Sequence, residues 1–187
     1  MRSAPRDSRS GPRAAAATVA IVACTIPAHA ALGEGIELEP IARLGLGFSL
    51  HAEGGRVVPS FNLEVTAGIY SRTYSRGRQE DPAFLVGPEI GYALDSLGIH
   101  ALDVTCGFGG GAFPFEVTYQ PHLLVGTWSG DFAVGMRNGA RFHVYYDFGT
   151  VELGHTFWLR RDALHHSFTT MFGFNPPALA QLFSTYL

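Results

Sequence analysis

The chain reads as an all-β protein, a closed antiparallel up-and-down β-barrel of about eight strands. Three observations predict this. Apolar and polar residues alternate with a period of two from Arg43 to Phe174, and no helical pattern of comparable length interrupts them. Gly, Ser, Asp and Asn clusters separate the alternating runs. The polar face is built mainly of Gly, Thr and Ser, with about one charge per strand. Composition agrees: the chain has 23 glycines and 16% charged residues, and all 13 basic residues are arginine. Two cysteines are too few for a disulfide scaffold, and an apolar content of 47% is too high for a disordered chain. A net charge of -3 offers no basic footprint, so nucleic acid is not an expected partner.

The first element is an export signal at residues 1–30. Arg2, Arg6, Arg9 and Arg13 precede the apolar run Ala14–Ile26, and Ala28-His29-Ala30 forms the small-x-small cleavage pattern. Within it, Ile21-Val22-Ala23-Cys24 offers a competing lipobox that would acylate Cys24. Residues 31–187 then form a single domain, with the barrel at about 41–174 and a tail at 175–187. That domain keeps nine arginines against fifteen acidic residues, a formal charge of -6.

Eight strands follow. The first sets Arg43, Gly45, Gly47, Ser49 and His51 against Leu44, Leu46, Phe48, Leu50 and Ala52. The second runs from Phe61 to Tyr70, the third from Phe84 to Asp95, the fourth from Ile99 to Gly109 and the fifth from Phe113 to Val125. The sixth runs from Phe132 to Tyr146. It is read as continuous through Asn138-Gly139 because its apolar face keeps phase there. Thr150–Leu159 and Leu164–Phe174 complete the set. Ser71–Ala83 is the one long connection, and Gly107-Phe108-Gly109-Gly110-Gly111 is expected to bend or bulge the sheet.

Alternation alone leaves inside and outside undecided, and the polar face decides. A soluble exterior should be rich in charge. This face instead carries Arg43, Glu64, Glu89, Asp103, Glu116, Arg137, Arg141 and Glu152 among small residues, which suits ion pairs in a narrow lumen. The Leu, Phe and Val face is too bulky to fill an eight-stranded barrel and is expected to meet lipid. The pattern over residues 41–174 resembles the small eight-stranded outer-membrane barrels of Gram-negative bacteria, the OmpA/OmpX type. That resemblance implies an outer-membrane location, barrel-assembly machinery and outer-membrane lipid or lipopolysaccharide as partners, and a structural or interaction role. Protein partners are unassigned. In such barrels the longer loops are external and the chain ends on an aromatic residue; here the longest connection is the second, and residues follow Phe174.

Sites of chemistry are few, and neither a metal nor a cofactor is expected. His165, Ser167 and Glu152 are the closest approach to a base, nucleophile and orienter, and would serve a lipid-modifying enzyme. His122 and His143, near Glu116 and Glu152, offer a histidine–carboxylate pair or a lumenal hydrogen-bond network. Tyr70, Arg72, Tyr74, Arg76 and Arg78 form a basic patch able to meet lipid phosphates. The other reading is a soluble or lipid-anchored periplasmic barrel that binds an apolar ligand, with inside and outside exchanged.

Overall fold

In the computed structural model the chain is described at residues 30–31, 36–75, 81–144, 148–161 and 163–176. The export signal, Cys24, Arg76, Arg78 and the tail beyond Pro176 lie outside these residues. A short β1 (Ala30–Ala31) pairs with the first barrel strand. The barrel strands are β2 (Ile36–Glu53), β3 (Arg56–Tyr74), β4 (Ala83–Asp95), β5 (Ile99–Ala112), β6 (Phe115–Trp128), β7 (Asp131–Val144), β8 (Gly149–Arg160) and β9 (Ala163–Phe174). Each pairs antiparallel with its sequence neighbour, and β9 pairs back onto β2, so the sheet closes into an eight-stranded up-and-down barrel.

Register fixes the barrel's dimensions. The path from Ala42 through Ala67, Ile90, Val104, Leu123, Met136, Phe157 and His166 returns to β2 at Ala52, a shear of ten residues. With ordinary strand spacing and rise this corresponds to a strand tilt of about 40° and a backbone radius of about 8 Å. Such a cylinder holds side chains and little else.

One end carries the tightest hairpins. Gly54 and Gly55 both have positive φ (58° and 76°), as do Ser129 and Gly130 (51° and 88°). Two-residue turns of this kind match the strand twist, and glycine enters the left-handed region without a Cβ clash. The turns also tie to one another, Ser129 N–H donating to Gly98 O and Ser129 Oγ to Leu97 O, both at 2.9 Å. The opposite end carries the start of β2, the end of β9 and the Phe113-Pro114 connection.

Three boundaries differ from the sequence reading. β2 begins at Ile36, and β3 runs to Tyr74, because their alternation continues past Arg43 and Tyr70. The glycines at 107–111 form no turn or bulge: Thr105 faces His122 and Phe108 faces Tyr119 in one unbroken register, and the hairpin falls at Phe113-Pro114. The ladder skips only beside Pro121, which has no N–H, and there Thr105 Oγ1 donates to Pro121 O at 2.8 Å. Asn138-Gly139 lies inside β7, as the unbroken apolar phase predicts.

Lumen glycines make room for the large inward side chains. A Cβ at Gly107 would collide with the Tyr70 hydroxyl and the Gln120 amide, and one at Gly135 would lie 2.7 Å from the Trp158 ring. We therefore expect Gly135→Leu to destabilise the barrel by about 1–3 kcal/mol through overpacking. Gly149→Ala, with open space at its Cβ, should be neutral. Urea unfolding, followed by tryptophan fluorescence, separates the two outcomes.

Candidate functional site: a charged lumen

Strand parity places every charge of the polar face inside. Arg43, Glu64, Glu89, Asp103, Glu116, Arg137, Arg141 and Glu152 are all buried, while Phe61, Phe132 and Phe168 on the other face are 80%, 69% and 63% exposed. The lumen divides into three layers along the axis.

At the hairpin end, Ile99, Ala101, Leu124, Trp128, Ala133 and Trp158 form an apolar plug. The Trp128 ring meets Trp158 and His51 edge-on, with centroids 6.1 and 5.3 Å apart, and the Arg160 guanidinium lies 5.3 Å over it. Beside the plug, on β2, β3 and β4, lies a polar cluster that sequence reading did not assemble. Ser60 Oγ donates to Asp95 Oδ2 at 2.5 Å, and His51 Nε2 lies 2.9 Å from Ser60 Oγ and 3.1 Å from Asp95 Oδ2. The residue types are those of a hydrolytic triad, but the wiring is not. Serine already donates to the carboxylate, and one histidine nitrogen serves both partners, so no relay runs from serine through the ring to the acid. These residues come from β2, β3 and β4, and only the register brings them together. They border a cavity of about 30 Å³, also lined by Ser49, Asn62, Ser167 and Thr169, which has room for about one water molecule.

The middle layer is an ion-pair lattice. Arg137 Nη2 donates to Glu64 at 2.8 Å and to Asp103 at 2.9 Å, and its Nε lies 3.3 Å from Glu152. Arg141 bridges Glu152 (2.7 Å) and Glu89 (2.5 Å), and Arg43 reaches the other Glu89 oxygen at 2.7 Å. His122 stands between two carboxylates, with Nδ1 2.9 Å from Asp103 and Nε2 3.1 Å from Glu152. Of the two histidine–carboxylate pairings expected from sequence, this one forms with Glu152 and adds Asp103. His143 Nε2 lies 2.5 Å from Thr118 Oγ1. Glu64, Asp103 and His122 converge closely enough to ligate a metal ion. Arg137 stands at that convergence, 2.9 Å from His122 Nδ1 as well, so a guanidinium supplies the positive charge there.

At the terminal end, Tyr70 donates to Glu89 and accepts from Gln120, both at 2.7 Å. Arg72 pairs with Glu116 at 2.8 Å and Glu39 at 3.1 Å. This corrects the basic patch: Tyr70, Arg72 and Tyr74 are lumenal residues of β3, buried because the even positions of that strand keep facing inward.

The trio His165, Ser167 and Glu152 does not meet. Ser167 faces Thr156 across β8, while Glu152 faces Met171, four residues further along the strand and about 13 Å away at ordinary rise. His165 packs on Trp128, centroids 5.2 Å apart. Glu152 is committed to the arginines. Comparison of the chain with protein-family models, curated proteins and solved structures gives no match.

Removing Arg137 would leave Glu64, Asp103 and Glu152 facing one another. Arg137→Met should cost about 3–5 kcal/mol, and Glu64→Gln with Asp103→Asn in the same chain should recover part of that. In Arg137→Ala, zinc ions present during refolding should raise the urea midpoint, whereas the wild-type midpoint should respond to neither zinc nor a chelator.

At the hairpin rim, hydrogen bonds from Arg160 and Arg161 hold the Asp131 carboxyl below its ordinary value of 3.8. Its contribution to stability is therefore present above that value and lost as pH falls through the lower folded one. The wild-type advantage over Asp131→Asn, read as urea midpoint, should persist at pH 6 and disappear at strongly acidic pH.

Proposed function

We propose that this chain is an integral outer-membrane β-barrel of a bacterial envelope, with a structural or interaction role and no turnover chemistry. The observation that carries the reading is inverted burial: the acidic and arginine side chains of the strand interiors point into the barrel, and most Leu, Phe and Val residues point out of it. In water such an exterior would be one continuous apolar patch around the molecule, far beyond what a soluble monomer exposes. Lipid removes the penalty, and the closed sheet leaves no unpaired edge in the bilayer. The barrel strands are 12 to 19 residues long, more than the roughly 9–11 that a tilted strand needs to cross. Near the terminal end, Phe84, Phe108, Phe115, Phe142 and Phe172 form an outward belt across β4, β5, β6, β7 and β9, consistent with an aromatic girdle at one interface.

The lumen argues for a role without transport or an apolar ligand. Its middle is filled by side chains, and the cavities of about 30 and 10 Å³ beside the lattice are water-sized. A carrier of an apolar ligand requires a cavity of several hundred Å³, on the order of ten times larger.

The membrane reading is tested by fractionation and gel mobility. The protein should stay in the membrane pellet after carbonate and high salt and leave it only with detergent. Without boiling it should migrate faster than the boiled, unfolded chain. Release by carbonate alone would overturn the reading.

A further inference from the structure

At the centre of the outward face, two neighbouring strands carry polar side chains. Asn138 is the central outward residue of β7, between Met136 and Ala140, and His155 is the central one of β8, between Leu153 and Phe157. The two stand directly opposite in the register. His166 of β9 stacks on His155 with ring centroids 5.5 Å apart and planes 15° from parallel, and Phe168 stacks on its other side at 4.5 Å. On β6, the Tyr119 hydroxyl donates to Asn138 Oδ1. A polar ridge thus crosses β6, β7, β8 and β9 obliquely, with Asn138 and His155 at the middle of their strands and His166 nearer the hairpin end.

Among the described residues, no hydrogen bond reaches the ring nitrogens of His155 or His166, or the amide nitrogen of Asn138. All three side chains are partly or fully accessible from outside. In water these groups would be solvated. On a lipid-facing surface, acyl chains offer neither donor nor acceptor, and Asn138 and His155, at the middle of their strands, lie too deep for headgroups, so these two polar groups require a protein partner.

We propose that this ridge is the two-fold interface of a homodimer within the membrane, an inference that rests on the outer-membrane reading above. The chemistry of the ridge selects a second copy as occupant. Asn138 presents free N–H donors, because its oxygen is already taken by Tyr119. A neutral histidine presents one donor and one acceptor. The same patch is therefore complementary to itself. A two-fold rotation sets the Asn138 amide of one copy against a histidine acceptor of the other, and the reverse contact follows by symmetry. Interhelical bonds of this kind hold membrane helices together, and the same physics applies to strands. The stacked Phe168 and adjoining Phe157 supply the apolar contact around these bonds.

The test is sedimentation equilibrium of the full refolded chain in density-matched detergent micelles, with unboiled gel mobility as the check on folding. Wild type should sediment as a dimer. Asn138→Leu combined with His155→Phe and His166→Phe should lower the mass by about half while keeping the mobility shift. A parallel measurement in vesicles uses copper-phenanthroline oxidation. Ala140→Cys, beside the ridge and made with Cys106→Ser, should cross-link, whereas native Cys106 on β5 should not. A folded wild type that is monomeric, or a triple variant as dimeric as wild type, overturns the homodimer and leaves the membrane reading intact. A wild type that stays dispersed without detergent overturns both.

Discussion

The guanidinium of Arg137 reaches Glu64, Asp103, Glu152 and His122 at once, and the rest of the lumen is arranged so that it can. A cylinder of about 8 Å backbone radius admits no bulk water, so each charge inside must find its opposite within a few ångströms. Arg137 sits on Gly154, where a Cβ would lie 3.0 Å from its side chain. Arg141 and Arg43 extend the same logic to Glu89 and Glu152. Glycine on one strand and arginine on the next are therefore two halves of one constraint. The glycine supplies the volume that the long side chain needs to lie across the barrel.

The same constraint explains the lumen's order along its axis. At the hairpin end, tryptophans fill most of the section beside the His51, Ser60 and Asp95 cluster. Where charges are present, cations and carboxylates alternate around it. Neither region leaves a continuous channel. A barrel closed inside in this way presents its only variable chemistry at its rims and on its outer face.

Much of this was legible from alternation. Phe48, Leu50, Phe61 and Phe132 were assigned outward, and Glu64, Asp103 and Arg137 inward, because a period of two leaves a strand residue only two directions and the small, sparsely charged polar face chose between them. What alternation could not supply was register. Ser60, His51 and Asp95 meet because three strands are staggered by particular amounts, and that stagger is set by turns and closure, not by any one segment. For the same reason His165, Ser167 and Glu152 looked adjacent in pattern and are separated in space. Arg72 and Tyr74 were read as loop because lumenal Arg and Tyr carry the same letters as exposed ones. Their burial goes with partners, Glu116 and Glu37, that are distant in the chain. The Gly107–Gly111 run was misread because glycine marks both turns and close approaches, and here it admits the Tyr70 hydroxyl.

The closing seam has its own kinetic meaning. Each strand from β2 to β9 zips onto its sequence neighbour across a hairpin or short loop, which makes most of the fold local. The pairing of β2 with β9 is the exception, and the Ser49–Thr169 hydrogen bond spans 120 positions. Loop-closure entropy is concentrated in that single junction. An ordered sheet of hairpins can thus exist before it is a cylinder, with two unpaired margins. Those margins are the surface that any folding helper would have to shield until they meet.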